Sequence, residues 1–181
     1  MLRKLSVSVA FLLAASAATA QQTASLPEIG SLAPDFTAKG SVAGELKSFK
    51  LSDLRGKTVV IAFFPGARTS GCTVQLTKYR DEYASMFNGG KDVVVLGIST
   101  DADTTQANWA REANFPFHFA SDADHSISRA YGSLGGTRSS RNVFVIAPDG
   151  RIASRMVRFN VNAEVAYSEL RKLVGEASAR K

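Results

Sequence analysis

One cysteine and two histidines stand among 181 residues, and those scarcities exclude several chemistries at once. A single thiol cannot close an intramolecular disulfide, so the chain is no cross-linked scaffold. His118 and His125 join neither a cysteine cluster nor an HExxH pattern, which leaves no metal site of the usual spacing. No metal and no cofactor is expected. Lys and Arg never form a run that could track a phosphate backbone, so nucleic acid is not an expected partner. The glycine-rich GSLGGTRSS lacks the Gly-Lys-Ser/Thr ending of a phosphate loop and reads as a flexible connection. Internal repeats and a second domain are also missing.

One apolar stretch is present, at the start. Arg3 and Lys4 precede a largely apolar Leu5–Ala17, and Ala18-Thr19-Ala20 has the small-x-small form of a leader cleavage site. The core falls short of the roughly 20 apolar residues of a membrane span. The expectation is a signal peptide over residues 1–20, an exported protein, periplasmic or secreted, and no stable membrane insertion after cleavage; an uncleaved anchor is the rival. Cleavage lowers Lys plus Arg from 22 to 20 against 16 Asp plus Glu, for a net charge of +4. Residues 21–181 suit one domain with one sizeable core. The odd thiol of an exported chain is inert and buried, paired between chains, or reactive.

Two periodicities alternate after a loop-like, Gly- and Pro-rich segment at 21–45. KTVVIAFF (57–64) and DVVVLGIS (92–99) are continuous apolar runs of the kind that forms buried strands. Leu76, Tyr79, Tyr83 and Phe87 line one face of a helix running from Cys72 to Asn88-Gly89-Gly90. A second helix is expected over 101–114, capped by Asp103 or Thr104, then a short strand at 117–121 and a short helix at 123–132. NVFVIAP and RIASRMVRF flank the turn pair Asp149-Gly150 as a hairpin, and a last helix covers about 163–177. The order predicts an α/β protein with a central mixed sheet flanked by helices, closer to a thioredoxin-like arrangement than to a doubly wound one.

The lone cysteine sits in FFPGARTSGCTVQ (63–75), where a strand meets a helix. Pro65 breaks the strand and sets a rigid turn whose ring can wall one side of the thiol. Cys72 falls in the first turn of the helix, where free N–H groups attract negative charge. Thr69 can offer a hydroxyl to the sulfur and to a bound oxygen. These are the surroundings of a nucleophile aimed at an oxygen-rich substrate. The bland alternative is a small buried hydrophobe.

Pro65, Thr69 and Cys72, in the pattern P-x-x-x-T-x-x-C, match the active-site signature of peroxiredoxins. TSGCT is similar to the bacterioferritin-comigratory-protein (PrxQ) branch of that family. GSLAPDFTA (30–38), LSDLRGKTVVIAFFP and RNVFVIAPDGRI resemble further family segments, and the resemblance covers about residues 26–175. It implies a thioredoxin-like fold and a thiol-dependent peroxidase acting on hydrogen peroxide or organic hydroperoxides.

The resemblance also implies residue roles. Cys72 would attack one peroxide oxygen and become a sulfenic acid. Thr69 would orient the peroxide, Pro65 would shield the thiolate, and Arg141 would stabilise it together with the charge on the departing oxygen. Arg138 is a rival for the arginine role, Arg68 a source of local positive potential, and Thr69 could instead cap the helix. Many members of the branch carry a resolving cysteine five residues after the first, where this chain has Thr77. That departure implies a one-Cys cycle in which an external thiol (a thioredoxin-like protein, a glutaredoxin, glutathione or a second copy of the chain) reduces the sulfenic acid. Monomer and homodimer both remain open. Three rival readings keep their place. One is a serine nucleophile at Ser99 in GISTD, which lacks the final Gly of its motif. Another is a thioredoxin-like reductase of the cell envelope, which lacks its C-x-x-C. The last is a sensor that uses Cys72 as a switch.

Overall fold

A computed structural model describes residues 25–180 of the chain. The expected leader over 1–20 lies outside the described residues. Two apolar runs form the centre of the molecule: β3 (Thr58–Phe63) and β4 (Val93–Ser99) are buried at every position and pair in parallel. Their unbroken apolar character has a simple cause. Val60, Ala62 and Phe64 point into one core layer, while Val59, Ile61 and Phe63 point into the other, so both faces are covered.

Around this pair a seven-stranded sheet has the order β2 (Glu45–Lys50), β1 (Thr37–Val42), β5 (His118–Ser121), β4, β3, β8 (Val143–Ile146) and β9 (Ile152–Met156). β5 is parallel to β4, and β8 runs antiparallel to β3. β9 completes the expected hairpin with β8. The sheet is mixed, with helices on its faces, as the alternation of patterns predicts. α1 (Ser70–Asp81), α2 (Tyr83–Phe87), α3 (Asp103–Glu112) and α5 (Glu164–Ser178) contribute to one core layer. α4 (Ser126–Ala130) supplies Ile127 to the other.

Four local expectations need correction. The segment expected as loop over 21–45 is strand from residue 37 on: β1 (Thr37–Val42) and β2 (Glu45–Lys50) form a hairpin, turned at Ala43-Gly44, where both residues have positive φ. Gly40 lets β1 approach β5, because a Cβ there would lie 1.8 Å from the Phe119 carbonyl oxygen. The helix through Cys72 is broken at Glu82 (φ −104°, ψ 20°), although the apolar face continues across the break through Met86 and Phe87. α3 begins after Ala102, and neither Asp103 nor Thr104 is its N-cap. GSLGGTRSS holds a small hairpin of β6 (Leu134–Gly135) and β7 (Arg138–Ser139) rather than a loose connection.

The two sheet edges differ. Along β9 the amino-terminal segment forms a strap: Gly30 N–H donates to the Ile152 carbonyl at 2.8 Å, Ile152 N–H donates to Ser31 at 2.9 Å, and Arg155 donates to the Pro27 carbonyl at 2.7 Å. Among the described residues β2 pairs only with β1, and its Glu45, Lys47 and Lys50 are exposed.

Candidate active site

Phe64 N–H still donates to the Ile98 carbonyl at 2.9 Å, so the β3–β4 ladder runs to the residue before Pro65. Pro65 carries no N–H and ends it. The chain then turns through Gly66, Ala67 and Arg68, the last with φ 60°, and enters α1 at Ser70. Cys72 is the third residue of that helix and its side chain is fully buried.

Arg141, two residues before β8, reaches the sulfur from the segment that enters that strand, with Nη2 3.5 Å from Cys72 Sγ. Its other terminal nitrogen donates to Gln75 Oε1 at 2.8 Å. The planar guanidinium fork fixes both bonds together. Gly71 makes room for it, since a Cβ there would lie 3.2 Å from Arg141 Nη2. The arginine's own carbonyl accepts from Phe159 N–H at 2.7 Å, which anchors the backbone behind the side chain.

Behind this arginine lies a buried relay. Gln75 Nε2 donates to the Tyr79 hydroxyl at 3.1 Å. Burial pushes the Tyr79 phenol well above its ordinary value, so it stays neutral. Its ring meets Phe87, Phe159 and Tyr167 edge-on, with centroids 5.2 to 6.3 Å apart. Cys72, Gln75 and Tyr79 occupy positions i, i+3 and i+7 of one helix face. The apolar face expected from Leu76, Tyr79, Tyr83 and Phe87 does not include Gln75, which is a functional neighbour of Cys72 that only its helical spacing announces.

The remaining predicted residues fall as follows. Pro65 is half-buried at the end of the strand. Thr69 occupies the helix N-cap position but makes no capping bond through its side chain; its hydroxyl donates to the Gly66 carbonyl at 3.0 Å. Arg138 is exposed and lies against Gly66, and its side chain makes no hydrogen bond to Cys72 or Gln75 like those of Arg141. Arg68 pairs with Glu112 through bonds of 2.8 and 3.2 Å, which takes up its charge outside the thiol pocket. Thr77 is half-buried on α1. Ser99 is buried and donates to its neighbour Asp101 at 2.8 Å, an arrangement unlike an exposed nucleophile. Among the described residues no group of three or more His, Cys, Asp or Glu side chains could hold a metal.

The AhpC/TSA family matches residues 29–155, and Peroxiredoxin Bcp of Bacillus subtilis is 31% identical over 147 residues, 77% of this chain and 90% of that relative. The chain belongs to the AhpC/TSA family. It is a peroxiredoxin of the Bcp/peroxiredoxin Q kind, and thus a thiol-dependent peroxidase. A chloroplastic peroxiredoxin Q of Sedum lineare is 34% identical over 124 residues, 67% of this chain and 64% of that relative. Among solved structures, PrxQ of Xylella fastidiosa superposes with a TM-score of 0.73 at 22% identity, covering 85% of this chain and 99% of that one. Peroxidoxin BcpB of Mycobacterium tuberculosis gives 0.71 at 24%, covering 84% and 99%. Both likenesses carry the fold, and the thioredoxin-like arrangement expected from the alternating pattern is the one this peroxiredoxin has.

Proposed function

We propose that this peroxiredoxin runs a one-Cys cycle in which Cys72 attacks a hydroperoxide and an external thiol restores it. The observation that carries the reading is Arg141 Nη2 at 3.5 Å from the only sulfur of any cysteine in the chain. In the first step the Cys72 thiolate forms an S–O bond with one peroxide oxygen as the O–O bond breaks. The sulfur becomes a sulfenic acid, and the other oxygen leaves as an alkoxide or hydroxide that takes up a proton. Arg141, a permanent cation held by Gln75, stabilises the thiolate and the negative charge that grows on the leaving oxygen. Thr69 orients the peroxide by exchanging its present bond to Gly66 for one to the substrate, and Pro65 keeps bulk water from the sulfur.

In the second half a reductant thiol displaces water from the sulfenic acid and forms a mixed disulfide. A further thiol then releases Cys72 and carries the disulfide away. Glutathione, a glutaredoxin or a thioredoxin-like protein would each satisfy this chemistry. The basic and apolar residues before Ala18-Thr19-Ala20 support export as the setting.

Single-turnover titration of the mature protein with hydrogen peroxide and with cumene hydroperoxide, with trapping of the sulfenic acid at Cys72, tests the reading. The expected result is one equivalent consumed far faster than free cysteine consumes it. A rate no higher than that of free cysteine overturns the reading. Steady turnover with each thiol in turn then identifies the reductant class.

A further inference from the structure

The motif GISTD has no part in the thiol chemistry, yet its last residue touches the loop that builds the thiol site. Asp101 Oδ2 accepts from Ala67 N–H at 2.6 Å, across 34 positions of sequence. Ala67 is the midpoint of Pro65–Thr69, and Thr69 Oγ1 bonds back to the Gly66 carbonyl within the same turn. Asp101 is itself held through both its side chain and its backbone. Ser99 Oγ donates to the same Oδ2 at 2.8 Å, while the Asp101 carbonyl accepts from Ser121 Oγ at 2.8 Å and Gln106 Nε2 at 3.0 Å. Gln106 is fully buried and also donates to the Ala120 carbonyl at 3.2 Å, which ties this corner to β5.

We propose that Asp101 is a positioning residue for peroxide reduction, acting through Ala67 to set where Thr69 stands relative to Cys72. The inference rests on the peroxidase reading above. Thr69 is tied to α1 by its carbonyl, which accepts from Thr73 N–H at 2.8 Å. Pro65–Arg68 has neither a ladder bond nor a helical turn, so the short charge-assisted bond from Asp101, just past β4, holds the middle of the loop that leads into Thr69. A hydroxyl that must meet a peroxide within hydrogen-bonding distance tolerates little displacement, and a shift of about 1 Å costs on the order of a hundredfold in rate. The group acts at a distance: it touches the loop, not the substrate.

The test is a double-mutant cycle of Asp101→Ala and Thr69→Val, read as the second-order rate of Cys72 oxidation by peroxide. Each chain is also read by its rate of alkylation with iodoacetamide, which needs the sulfur but not an oriented peroxide. Asp101→Ala is expected to lose on the order of 10- to 100-fold with peroxide, with alkylation unchanged. In the Thr69→Val background the same substitution should cost little more. Asp101→Asn, whose carbonyl oxygen can still accept from Ala67 and Ser99, should recover most of the rate. Full additivity of the two losses, an equal fall in alkylation, or an Asn variant as slow as the Ala variant each overturns the proposal. A wild type no faster than free cysteine overturns the peroxidase reading and this proposal with it. A fast wild type matched by Asp101→Ala overturns the proposal alone.

Discussion

Gln75 holds Arg141 against Cys72, because the guanidinium gives one nitrogen to the amide oxygen at 2.8 Å and the other to the sulfur at 3.5 Å. The amide is bonded in turn to Tyr79, and both side chains are fully buried. Gln75→Ala is therefore expected to slow Cys72 oxidation about tenfold by letting the guanidinium rotate away. It also leaves the Tyr79 hydroxyl without its donor, at about 1–3 kcal/mol. Stopped-flow oxidation and urea unfolding of Gln75→Ala, with and without Tyr79→Phe, separate the two effects. The added Tyr79→Phe should recover stability without recovering rate.

Arg141 and Arg138 lie three residues apart and differ in what they reach. Arg141→Ala should lower the peroxide rate on the order of 10²- to 10³-fold, the usual loss when a preorganised donor to a developing anion is removed. Arg138→Ala should stay close to wild type. Trapped sulfenic acid against time measures both, and equal losses would defeat the assignment. Arg141→Lys should recover little, since an ammonium cannot serve Gln75 and the sulfur with one fixed fork.

Acid should loosen the contact between α1 and α5. The hydrogen bond from Lys78 is the main cause holding the Glu82 carboxyl below its ordinary 4.5; burial opposes it, and Arg171 adds to it. The folded state thus favours the ionised form. That stability is present above about pH 4.5 and is lost as pH falls through the lowered folded value. Glu82→Gln should be less stable at neutral pH by about 0.5 kcal/mol, the scale of a surface ion pair. The difference should close in acid, as followed by urea midpoints from pH 7 down to about 3.

Phe144→Ala should be the costliest of these changes to the fold. Phe144 is fully buried and meets Phe63 at 5.9 Å and Tyr131 at 5.2 Å between ring centroids. The expected loss is about 3–5 kcal/mol by equilibrium unfolding.

The buried strands and most helices were legible because each follows from a period that a few residues set. Val59–Phe64 needed only its unbroken apolar run. β1 and β2 escaped for the opposite reason: Thr37–Lys50 is mostly exposed, so no apolar alternation marks it, and its strand character comes from pairing with β5. The break at Glu82 has no proline or glycine to announce it. In the site, Cys72 and Arg141 could be named from the family pattern. Gln75 could have been found from its spacing to Cys72 along the helix. Asp101 could not, because its contact with Ala67 depends on how two loop ends meet at the top of the sheet.

The strap of residues 27–33 along β9 leaves the charged β2 as the free margin of the seven-stranded sheet among the described residues. Ribbon growth by strand addition needs two open margins per molecule, one to receive and one to offer. Among the described residues the strap bonds to the β9 backbone at Ile152, so a pairing of two copies through β2 leaves less of the opposite margin for a further strand to join.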